Sequence, residues 1–161
     1  DMYNKGANLI HTIRHIIGDS TFKAMLLGMN ERFRHKVVTS AEIEDYMINF
    51  NERTKAMLNK SIFDQYLRTT QVPVLEWGTW KNGLWARWSG VDPGFRMYAG
   101  FVKGEVHRKE QVSADHFHRI ATLKGVNDVT VDRNWYISNK IVAKRTIKKN
   151  RDPNTRRNHL P

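Results

Sequence analysis

The chain reads as an α+β protein, with its helices gathered in the first half and its strands in the second. Two observations predict this. Apolar residues recur three and four apart as far as Leu67, and from Val72 onward they fall in short alternating runs. The punctuation changes at the same place, from helix caps such as Thr39 to turn clusters such as Lys81-Asn82-Gly83 and Asp92-Pro93-Gly94.

Taken in order, Leu9, Ile10, Ile13, Ile16 and Ile17 predict a first helix of about four turns, which Gly18 ends because it enters positive φ without strain. Ser20 is expected to cap a second helix carrying Phe22, Met25, Leu26, Met29 and Phe33. Arg32, Arg34, His35 and Lys36 suit its negative end. Thr39-Ser40-Ala41-Glu42 has the form of a capping box, in which hydroxyl and carboxylate satisfy each other's free backbone donors, and Ile43, Tyr46, Met47 and Phe50 mark the helix behind it. Ser61 with Asp64 is expected to open a fourth helix through Ile62, Phe63, Tyr66 and Leu67, ending at Thr69-Thr70.

Beyond it, Val72, Val74 and Trp77 face Leu84, Ala86 and Trp88 across a hairpin turn expected at Asn82-Gly83. Further strands are expected at 97–102, 117–123, 128–131 and 135–141. Six short strands predict a small β-sandwich. The expected organisation is therefore a helical region 1–71, a sandwich 72–142, and a basic tail 143–161 with too few apolar residues to pack, disordered or loosely attached. There is no internal repeat.

Composition bounds the function. The 161 residues are 40% hydrophobic with five tryptophans, enough for a real core. No apolar run approaches the roughly 18 residues a membrane-spanning helix needs, so no membrane partner is expected. The absence of cysteine excludes disulfides, thiolate metal sites and cysteine nucleophiles while leaving the compartment open. The net charge of +11 raises nucleic acid as a partner, but 144–161 holds seven basic residues against Asp152, so the charge belongs largely to the tail. A tail of this kind binds polyanions weakly if at all, and a nucleic-acid function is not the expectation. The chain starts at Asp1 with no signal-peptide pattern, which reads as a processed or excised end.

Few residue groupings promise chemistry. His11 and His15 stand four apart on a helix, as in a zinc helix, but Thr12 occupies the place of the general-base glutamate and Arg14 opposes a nearby cation. They are expected to be part of a polar face. His116 and His118 fall on the same side of a strand with no third ligand in view, and Phe117 between them is expected to point inward. Gly100-x-x-x-Gly104 lacks the Lys-Ser/Thr of a phosphate loop, and no serine stands in a nucleophile elbow. Trp77, Trp80, Trp85 and Trp88 with Lys81 and Arg87 could stack bases, but they suit a sandwich core better.

One resemblance reaches further. Met2-Tyr3-Asn4-Lys5-Gly6-Ala7 running into Leu9-Ile10-His11-Thr12-Ile13-Arg14 resembles the segment that carries the catalytic tyrosine in the zinc aminopeptidases of the aminopeptidase N and leukotriene hydrolase family, the gluzincin aminopeptidases. Ile17-Gly18-Asp19, Val38-Thr39-Ser40-Ala41-Glu42 and the run from Phe63 through Gln71-Val72-Pro73 to Leu75 resemble that family in the same order, and 83–97 resembles the first strands of its sandwich. Beyond about Tyr98 the likeness fades. The resemblance implies that 1–71 is the closing helical half of a thermolysin-like catalytic domain and 72–142 an immunoglobulin-like β-sandwich. It implies that Tyr3 is the tyrosine whose phenol hydrogen-bonds the oxyanion during peptide hydrolysis.

In that family the His-Glu-x-x-His helix, the third zinc ligand and the loop gripping the substrate's amino terminus all precede the tyrosine, and none occurs in these 161 residues. The expectation is a fragment that holds no cofactor and is inactive alone, with zinc and peptide substrate belonging to the full-length parent. Helical faces that would pack on the zinc helix, those of Leu9, Ile13 and Ile16, are expected to be bare and to favour self-association.

Overall fold

Helix α1 (Met2–Ile17) buries Leu9, Thr12, Ile13, Ile16 and Ile17, positions that share one side of a 3.6-residue helix, and leaves Tyr3, Ala7, Ile10 and Arg14 in solvent. The computed structural model describes residues 2–120 and 128–151. The chain divides into two compact units, Asp1–Thr70 and Gln71–Pro161, helical and largely β-structured respectively, so the protein is α+β. No helix of the described residues is long and apolar enough to cross a membrane.

In the first unit α1 packs against α2 (Asp19–Phe33), α4 (Glu52–Met57) and α5 (Lys60–Arg68). One glycine closes α1 and opens α2. With φ at +86°, Gly18 donates its N–H to the Arg14 carbonyl and offers its own carbonyl to Phe22 N–H at 2.9 Å. The cap expected at Ser20 is therefore displaced to Gly18. Asp19, in the first turn, receives both donors of Arg14 at 2.7 Å.

Helix α3 (Ser40–Ile48) carries the capping box complete: Thr39 N–H donates to the Glu42 carboxylate at 2.8 Å and Glu42 N–H to the Thr39 hydroxyl at 3.3 Å. The backbone N–H of Thr39, then its hydroxyl, holds the Glu42 pKa below the usual carboxylate value. A carboxyl whose pKa is depressed by folding contributes stability above its unfolded pKa and loses it as pH falls through the folded value. Melts of Glu42→Gln and the parent chain are thus expected to differ at neutral pH and to converge as pH falls through the depressed folded value. A gap that persists in acid would mean that the charge contributes nothing.

Two further caps differ from the expectation. Helix α4, absent from the periodicity reading, is bracketed by Asn51 and Thr54, each side chain accepting from the other's backbone N–H at 2.9 and 3.0 Å. Helix α5 begins at Lys60, so Ser61 lies inside it and donates its hydroxyl to the Asn59 side chain. On α5, Lys60, Asp64 and Arg68 form a ladder at spacings of four. Arg68 also pairs at 2.7 Å with Glu44, whose burial is tolerable because Lys60 stands on its other oxygen at 3.8 Å.

Thr12 is different: it is wholly buried, and among the described residues its hydroxyl has no partner. The isosteric Thr12→Val removes that desolvated donor and is expected to raise stability by about 1 kcal/mol in urea titration. A loss of stability would show that the hydroxyl is satisfied after all.

The second unit holds β1 (Val74–Trp80), β2 (Gly83–Ser89), β3 (Arg96–Lys103), β4 (Val106–Ser113), β5 (His118–Ile120), β6 (Val129–Val131) and β7 (Ser138–Ile141). They form a four-stranded sheet ordered β5-β2-β1-β7 and a three-stranded sheet ordered β4-β3-β6, with β1 and β7 parallel and every other pair antiparallel. The β1–β2 turn sits one residue earlier than expected. Trp80 pairs with Gly83, and Lys81 and Asn82 take φ of +47° and +57° as the two central residues of an I′-type turn. Strand β4 was not legible, since among its eight residues only Val106 and Val112 are apolar and it lies at a sheet edge. The strand expected over 117–123 is β5 where it is described, and 121–127 lie outside the described residues.

Alternation along β1, β2 and β3 builds the core. Leu75, Trp77, Leu84, Ala86, Trp88, Met97, Ala99 and Phe101 are all buried, and Trp88 links the sheets by donating its indole N–H to the Met97 carbonyl at 3.2 Å with its ring edge-on to Phe95. The other face of the four-stranded sheet carries a second cluster of Trp85, Phe117 and Ile147, with Trp80 and Val142 against it.

That second cluster corrects the expectation for the tail. Residues 144–149 form helix α6 (Lys144–Lys149), and Arg151 bridges Phe117. A single apolar residue suffices because Gly78 leaves a seat for it: a Cβ there would lie 2.5 Å from the Val142 carbonyl and 3.1 Å from Ile147 Cδ1. The rest of the tail, 152–161, lies outside the described residues.

Candidate functional site

Tyr3 occupies the first turn of α1 and is 86% exposed. What positions it is Lys5. Its ammonium donates to the carbonyls of Gln65, at 3.3 Å, and Thr69, which belong to the end of α5 where helical carbonyls lack intrahelical partners. Burial lowers the Lys5 pKa, so the contact is made by a partly desolvated cation. Residues two apart on a helix lie about 200° apart around its axis. Anchoring Lys5 on α5 thus leaves the Tyr3 phenol on the opposite side, in solvent. A neutral phenol there is a single hydrogen-bond donor, suited to an oxygen that acquires negative charge beside it.

The residues proposed for metals do not assemble a catalytic zinc site. His11 and His15 are close, Nε2 to Nε2 2.9 Å, with rings at 70°. His116 and His118 stack at 6.1 Å, and His118 Nε2 lies 2.5 Å from the Ser113 hydroxyl. Among the described residues no group of three or more His, Asp or Glu could hold a metal ion. A hydrolytic zinc takes three protein ligands and an open position, so these residues do not fit it.

The tryptophans are structural. Trp77, Trp85 and Trp88 are buried, and the half-buried Trp80 has Lys81 and Arg151 against its ring at 5.1 and 4.8 Å. Arg87 lies over Phe117 and pairs with Glu76 at 2.8 Å. Among the described residues these tryptophans form no open stacking platform. The helical face expected to be bare is also covered: Leu9, Ile13 and Ile16 are buried, and among the described residues of that unit the large exposed apolar ones are Tyr3, Ile10, Leu27, Val37 and Leu67. Packing of α1 on its helical neighbours accounts for the difference.

Sequence reasoning reached Tyr3 only through resemblance and missed Lys5 as its anchor, because partners 60 and 64 residues away leave no local signal. The Glu44 network was half visible, in the four-residue spacing of Lys60, Asp64 and Arg68. No protein-family model matches this chain, and no curated protein matches it.

Proposed function

We propose that the chain is the carboxy-terminal part of a zinc aminopeptidase of the aminopeptidase N and leukotriene hydrolase family. In this reading the helical unit closes a thermolysin-like domain, the two-sheet unit is its immunoglobulin-like sandwich, and Tyr3 is the oxyanion donor. The observation that carries the reading is the phrase Met2-Tyr3-Asn4-Lys5-Gly6-Ala7 on a helix whose core side is filled while its tyrosine faces solvent. The phrases around Gly18, Thr39 and Phe63 follow in family order and support it. Tyr3 then donates to the oxygen of a tetrahedral intermediate formed in a site that the upstream half completes. Binding that oxygen more tightly than the ground-state carbonyl accelerates the chemical step. Peptide substrate and zinc belong to the full-length protein.

Two measurements test this. The coding sequence upstream of Asp1 is expected to encode His-Glu-x-x-His in frame. The isolated chain is expected to hydrolyse no aminoacyl amide and to retain no zinc through dialysis, and one tightly held equivalent would overturn the assignment.

A second reading rests on α6. Lys144, Arg145, Lys148 and Lys149 are exposed around the anchored Ile147, with Arg151 beside them, so this cationic surface is held in place. It suits the phosphate backbone of a nucleic acid. In that case Lys148→Ala with Lys149→Ala is expected to lower the slope of log K against log salt by about 1 per lost phosphate contact. An unchanged slope would exclude α6 as the contact.

A further inference from the structure

On the solvent side of α1, His11 and His15 stand four residues apart, the spacing that brings helical side chains together. Their rings meet through the two Nε2 atoms, 2.9 Å apart, with centroids 4.3 Å apart and planes at 70°. One ring donates and the other accepts. We propose that this pair is a two-ligand site for a divalent transition metal ion of tetragonal preference, Cu(II) in the first place, open on its outer side.

The separation identifies the geometry. Two imidazole nitrogens about 2.05 Å from a shared ion and 2.9 Å apart subtend about 90°, whereas a tetrahedral angle would set them about 3.3 Å apart. The pair is thus arranged for adjacent corners of a square or octahedron. The ion takes the place of the proton between the two Nε2 atoms, and that hydrogen moves to Nδ1 of the ring that carried it. Both imidazoles then bind as neutral ligands, and no proton need leave the protein.

Arg14, next to this pair on α1, is held by Asp19. Its Nε and a terminal nitrogen both lie 2.7 Å from the Asp19 carboxylate oxygens, so its charge is compensated and its side chain is held at the α1–α2 junction. Asp19 is correspondingly engaged and is not offered as a third ligand. With two protein nitrogens only, the remaining coordination positions fall to water or to a donor brought from outside. His11 is exposed and His15 half-buried, which leaves that side accessible. The site is independent of the peptidase reading.

Titration of the full chain with copper(II) chloride tests it. One equivalent is expected to bind, raising the melting midpoint and giving a paramagnetic resonance spectrum with two equatorial nitrogens. His11→Gln and His15→Gln are each expected to weaken binding at least tenfold, and His116→Gln to leave it unchanged. Undiminished affinity in either α1 variant, no binding by the parent chain, or loss of binding in His116→Gln would overturn the proposal. Circular dichroism checks that each variant is folded. If one is not, the nitrogen count in the unaltered chain decides.

Discussion

Replacing Trp88 with alanine is expected to remove about 3–5 kcal/mol from the stability of the second unit, a large share of the roughly 5–15 kcal/mol that a domain possesses. Trp88 is essentially inaccessible, its ring meets Phe95 edge-on at 5.8 Å, and its indole N–H is satisfied by the Met97 carbonyl at 3.2 Å. Truncation opens a cavity between the two sheets and removes that hydrogen bond. The readout is selective because all five tryptophans lie beyond residue 71, so tryptophan fluorescence during urea unfolding follows this unit alone. Trp88→Phe keeps much of the volume and is expected to recover more than half of the loss. A Trp88→Ala midpoint close to the parent's would mean that the two sheets do not share the core described for them.

The division into helices and strands was legible because the period of the apolar residues changes near residue 72, and burial of one face produces that period in each element type. What escaped notice has local physical causes. Helix α4 has only six residues and an Asn51–Thr54 cap instead of Ser/Thr with Glu, so neither its length nor its start signal stands out. Strand β4 places His107, Arg108, Lys109 and Glu110 in succession at a sheet edge, where solvent replaces a second neighbour and alternation is not required. Helix α6 depends on a seat provided by Gly78, 69 residues before Ile147. Serines at 20 and 61 were read as caps because of their chemistry, yet Gly18 and Asn59 took those places through backbone conformation.

The candidate site was legible to a different degree. Resemblance singled out Tyr3, whereas periodicity treats it as one more residue near a helix start. The structure adds that Lys5 ties this turn to the end of α5 and that the phenol stands in solvent. The histidine pair on the same helix was visible as a spacing, but the meeting of its nitrogens and the capture of Arg14 by Asp19 depend on side-chain geometry.

The most direct test of the proposed assignment is Tyr3→Phe in the longer zinc aminopeptidase that this assignment requires. The substitution removes one hydroxyl from an exposed side chain and is expected to leave the fold unchanged. If Tyr3 donates to the oxyanion, its loss costs about 3–4 kcal/mol of transition-state stabilisation. Hydrolysis of an aminoacyl amide is then expected to slow about 10²- to 10³-fold in kcat with KM little altered. A kcat within twofold of the parent enzyme would contradict the assignment of Tyr3 as the oxyanion donor.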